Sequence, residues 1–221
     1  MRAALWLGAL SLAACGVGQS TIEIALATNA VPVTVEAAAG PIELEAVSVQ
    51  LGLANFEVSD GNNSFTFVLG DDADPFVAAI TPVQKATIRG EQDPDTYNTL
   101  RFEFQTSTLT TDQGQSFNGI LAVNALIDLD PNVAGRETTL DLLLPPVDFA
   151  VLFNVELTTV EGEVTPLELE VNLADLFANV DFAALAQAQA NVILINQDNN
   201  AAALALLSDN LPGALELDVT P

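Results

Sequence analysis

The sequence predicts a mainly β protein, an antiparallel β-sandwich with two short α-helices near the C-terminus. Apolar and polar residues alternate through most of the chain. Clusters of Gly, Pro, Asn and Asp interrupt that alternation, and after about residue 170 it gives way to alanine-rich, helix-spaced apolar residues. Alternation puts one side of a strand in a core and the other in water. Many short strands divided by turn clusters build sandwiches and barrels.

Ile22, Ile24 and Leu26 alternate with Thr21, Glu23 and Ala25, and Val31, Val33 and Val35 repeat the pattern. Ile42 and Leu44 alternate with Glu43 and Glu45. Phe65 and Phe67 follow the turn sequence SDGNNS, and Leu100, Phe102 and Phe104 alternate with Arg101, Glu103 and Gln105. The longest clean run is Val147, Phe149, Val151, Phe153, Val155 and Leu157. Beyond it, Leu173, Leu176, Val180 and Leu185 fall near helical spacing, with Asp181 as a helix cap. NVILIN reads as a short strand. A second helix is expected from a cap near Asp198 or Asn199 to a stop before Pro212-Gly213. Leu215, Leu217 and Val219 then alternate with acids and close a sheet. The helices, within about 173–210, are expected to cover an open edge or end of the sheets.

The segments 35–46 (VEAAAGPIELEA) and 160–171 (VEGEVTPLELEV) align without a gap. Their likeness predicts two equivalent hairpins, turning near Gly40-Pro41 and Thr165-Pro166.

Thirty acids face five bases, and the chain has no histidine. That charge repels nucleic acid and anionic headgroups, which excludes DNA or RNA as a partner. The missing imidazole removes the commonest general base, the Ser-His-Asp triad and the usual zinc or copper site. No phosphate loop or dinucleotide fingerprint is present. Carboxylate chemistry remains: binding of hard cations, or a pair of carboxyls acting on a glycosidic bond. One tryptophan, Trp6, and one tyrosine, Tyr97, leave little to hold a sugar ring. No enzymatic activity is expected.

The stretch LSLAACGVGQS contains the only cysteine. Arg2 precedes an uncharged run, Ala3 to Ala14, too short to span a bilayer and of the length of a secretory leader's apolar region. Leu12-Ala13-Ala14-Cys15 resembles the lipobox of bacterial lipoproteins. The resemblance covers only the leader. It implies cleavage before Cys15, acylation of its sulfur, and retention in the bacterial cell envelope through a lipid anchor. By the enterobacterial pattern, Gly16 in place of aspartate implies the outer membrane. The organisation expected is a signal peptide (1–14), a lipidated tether (15–21) and an acidic β-sandwich domain (22–221). Without Arg2 four bases remain, Lys85, Arg89, Arg101 and Arg136, giving a net charge near −26.

Calcium takes six to eight oxygens, which closely spaced Asp and Asn on turns can supply in part. The candidates are Asp71, Asp72 and Asp74 in GDDADP and Asp128, Asp130 and Asn132 in DLDPN. A third acidic turn holds Glu91, Asp93 and Asp95. The same residues also favour turns for local hydrogen-bonding reasons. No other cofactor is expected. The bases are expected to relieve crowded acids through surface ion pairs. The function expected is a membrane-tethered, non-enzymatic binding or structural module with an envelope protein as partner. The alternatives are a calcium-dependent adhesion module and a carrier of apolar ligands.

Overall fold

In a computed structural model, residues 18–28, 32–38, 40–69, 76–110, 116–129, 137–145 and 149–219 are described. The alternation at the start of the chain forms β1 (Ser20–Thr28), with Ile22, Ile24 and Leu26 buried. β1 pairs antiparallel with β6 (Ala86–Gln92) and parallel with β13 (Val164–Val171). β16 (Leu215–Asp218) lies on the far side of β13 and completes a four-stranded sheet.

The second sheet, of ten strands, is organised by β3 (Gly40–Ser59), 20 residues long. One edge of β3 pairs with β10 (Leu121–Asp128) and then with β7 (Thr96–Phe104). Its other edge takes β2 (Val33–Ala37), β5 (Phe76–Ile80) and β4 (Ser64–Val68) in turn. β12 (Phe149–Thr158) extends the sheet beyond β7. β11 (Glu137–Leu144), β15 (Val192–Ile195) and β14 (Gln187–Gln189) extend it beyond β10. β8 (Ser107–Thr110) and β9 (Ser116–Gly119) form a separate hairpin.

Gly52 sits where β3 changes partner. Its N–H donates to Ile120 O (2.9 Å), and its carbonyl accepts from Gln105 N (3.2 Å). A Cβ at Gly52 would lie 2.3 Å from Gln105 O, so the junction requires glycine.

The facing sides of the two sheets meet in one core, the arrangement of a β-sandwich. Ile22, Ile24, Leu167 and Leu169 come from the four-stranded sheet; Leu44, Val49, Phe56, Val58 and Phe102 come from the other. Burying each such side chain contributes about 1.5–3 kcal/mol. Phe56 stacks on Phe67, and Phe104 on Phe149, each pair with centroids 4.5 Å apart. The sandwich is mostly antiparallel, as expected, but β1–β13 and β11–β15 are parallel pairs.

The C-terminal region differs in part from expectation. The first helix is a single turn, α1 (Leu173–Leu176), capped by Asn172, whose Oδ1 accepts from Ala174 N and Asp175 N. Asn179, left-handed at φ 61°, ends it and donates its N–H to Glu36 O (3.0 Å). Asp181 is a cap as expected, but of a 3-10 turn, Phe182–Ala184. The second helix, α2 (Ala201–Asn210), begins after Asn200, one or two residues later than expected. The Asn200 side chain does not cap it and instead binds Ala186 and Leu194 O, pinning the preceding loop.

The expected pair of equivalent hairpins is not formed. Segment 35–46 lies in the β2–β3 hairpin, but β12 and β13, on either side of Gly162, belong to different sheets. β13 carries Pro166 opposite Glu23 of β1, not opposite β12.

Candidate functional site

A groove of about 580 Å³ lies at one end of the ten-stranded sheet. The β2–β3 hairpin supplies Thr34, Ala37, Pro41, Ile42 and Glu43; the end of β10 supplies Asp128 and Leu129; the 3-10 turn supplies Phe182 and Ala183. Strand register places Glu43 directly across from both Thr34 and Asp128, and Asp128 across from Glu137. Acids opposite one another on neighbouring strands repel, so the Glu43–Asp128 pair concentrates negative potential beside the groove. Phe182 is buried and packs on the fully buried Phe177, centroids 6.0 Å apart. The lining thus joins carboxylates to an aromatic and aliphatic surface, a mixture suited to a ligand with both polar and apolar parts.

Of the calcium candidates, the structure places Asp128 in this groove, with Glu43 as its acidic neighbour. Asp71, Asp72, Asp74, Asp130 and Asn132, and the lipidation candidate Cys15, lie outside the described residues. Among the described residues no three acidic, cysteine or histidine side chains converge as a metal site. The third acidic turn is held by one local and one long-range bond: Asp95 Oδ1 accepts from Thr96 N (2.7 Å), and Asp95 O accepts from Thr159 N (2.9 Å). Three of the bases form the expected ion pairs. Lys85 meets Glu168, Arg89 meets Glu23, and Arg101 meets Glu103. The Glu103 carboxyl is held below its usual range by a hydrogen bond from Asn55 and by Arg101.

One polar feature has no counterpart in the sequence patterns. Asn124 Nδ2 donates to Asp141 Oδ1 (2.6 Å), and both residues are buried on the face of β10 and β11 turned away from the core. The same face carries Gln50, whose side chain holds the β8–β9 hairpin through Thr110 N (3.0 Å) and Thr110 O (2.5 Å). Period-two alternation places Asn124 and Asp141 on this outward face, and only the paired strands reveal that they are covered and joined.

The two sheets and the long central strand define an open β-sandwich. Among solved structures the chain is similar to MbnP from Methylosinus trichosporium, with a TM-score of 0.55 and 12% identity over 92% of this chain and 99% of that one. That likeness is one of fold. No family model and no curated protein matches the chain.

Proposed function

We propose that the chain is a lipid-anchored module of the bacterial cell envelope, at the outer membrane, that binds a partner and catalyses no reaction. The observation that supports the reading is how soon after Cys15 the described chain is tied to the domain. Gly18 N donates to Glu161 Oε1 (2.9 Å), and Gly162 N donates to Gln19 O (3.0 Å), so the chain is part of the domain three residues past Cys15. At about 3.5 Å per residue, the link from Cys15 to Gly18 spans at most about 10 Å. An acylated Cys15 therefore holds the domain against the lipid surface. The mixed groove is the surface offered to a partner.

Mass spectrometry of the mature protein tests the anchor: diacylglycerol on Cys15 is expected, and an unmodified thiol or trimming past Cys15 overturns it. A pull-down from envelope extracts with the acylated protein tests the partner. It is run with and without calcium, and with Glu43→Gln as a control for the groove. Capture that needs calcium would favour the adhesion reading, for which Asp128 beside Glu43 is the foothold. Native lipid in the purified protein would favour the carrier reading. Between the sheets, Tyr97, Phe56 and Phe102 are fully buried and fill the interior around them.

A further inference from the structure

The attachment of Gly18 and Gln19 to the 159–163 turn and the groove lie at opposite ends of β1. Thr21 pairs with Val164 beside the 159–163 turn, and Thr28 pairs with Val171, after which the chain enters α1 and the 3-10 turn that lines the groove. Seven residue steps at about 3.3 Å separate the two ends by roughly 23 Å. The groove is held at its own end by backbone bonds from Asn179 N to Glu36 O and from Ala38 N to Val180 O.

We infer that the anchored domain stands upright, with the 159–164 turn toward the lipid and the groove facing away from it. The inference rests on acylation of Cys15. The outer face of the four-stranded sheet carries Glu23 and Glu168, which meet Arg89 and Lys85, together with Glu170, Glu216 and Asp218, so acids outnumber bases there; that of the ten-stranded sheet carries Glu43 and Glu45. Laying either face on an anionic leaflet brings those acids within a screening length of about 8–10 Å, where like charge repels. Standing upright leaves only the tip that close, where Glu161 and Glu163 lie between the exposed Val160 and Val164, fewer acids than the face of the four-stranded sheet would set against the leaflet. The partner that fits the groove is therefore one reaching it from the aqueous side, not the anchoring bilayer.

Fluorescence transfer tests the posture. The acylated full chain is placed in phosphatidylethanolamine–phosphatidylglycerol vesicles bearing a headgroup acceptor dye. A thioether at Cys15 leaves an introduced cysteine as the only free thiol, and Val160→Cys and Ala183→Cys both label exposed sites. Transfer is expected from the Val160 label and its loss from the Ala183 label. Equal transfer from both, in protein that floats with the vesicles, overturns the posture and leaves the anchor standing. Protein that does not float overturns the anchor, and the posture with it.

Discussion

The hydroxyl of Tyr97 donates a 2.6 Å hydrogen bond to the backbone carbonyl of Asp93, four residues earlier. Asp93 follows the last residue of β6 in one sheet, and Tyr97 is the second residue of β7 in the other. The bond spans the corner where the chain changes sheets, the arrangement of a tyrosine corner. Tyr97→Phe is expected to destabilise the fold by about 1–2 kcal/mol, since it leaves the carbonyl without that donor. Urea denaturation measures it, and an unchanged midpoint would deny the bond its role.

Burial, then the nearby Asp95 and Asp93, push the Tyr97 phenol up to about 12. Native protein holds this proton more tightly than unfolded chain, so stability is expected to fall as pH rises from about 10 toward 12. Because Tyr97 is the chain's single tyrosine, its ultraviolet titration reads one group. A midpoint near 10 in folded protein would contradict the burial.

Gly52→Ala places a methyl against the Gln105 carbonyl, backbone that cannot swing aside. A loss of roughly 3 kcal/mol is expected. Thermal melting measures it, and a wild-type melting temperature would show that β3 can shift its junction freely.

Burial, then Glu216 and Glu168, raise the Glu170 carboxyl above its ordinary value. Folded protein therefore binds this proton more readily than unfolded chain, and stability from this group is lost as pH rises through that raised value. Glu170→Gln is expected to be more stable than wild type at pH 7, with the advantage vanishing below the ordinary carboxylate range. Denaturation at pH 7 and pH 3.5 compares the two, and an equal gain at both would point to a cause other than charge.

Gln92 is buried and donates through Nε2 to Ser20 Oγ (2.9 Å), while its Oε1 has no partner among the described residues. Ser20 Oγ keeps a second bond to the Gln92 carbonyl (3.2 Å). Gln92→Met preserves shape and removes the orphaned oxygen, so a neutral effect or a gain of about 1 kcal/mol is expected. A loss above about 1 kcal/mol would mean that the amide is fully satisfied in solution.

Strand existence was legible because alternation is a local signal. Ile22, Ile24 and Leu26 are inward-facing, and Phe149, Val151 and Phe153 pack against the core as half-buried residues of β12. Pairing was not legible. Nothing in 160–171 distinguishes a hairpin arm from a strand that joins β1, because partner choice depends on contacts far apart in sequence. The length of β3 was hidden as well, since a glycine inside a strand commonly marks a bulge or bend, whereas β3 runs on through Gly52. Of the groove, Asp128 was singled out in sequence, whereas Glu43 and Phe182 were read only as strand and helix residues. A register between strands brings them together.

β1 finds its parallel neighbour 143 residues away, Thr21 beside Val164. Long loops must close before such contacts form, and topologies rich in them reach their final state slowly. The four-stranded sheet therefore cannot be completed until residues as late as 215–218 have been synthesised.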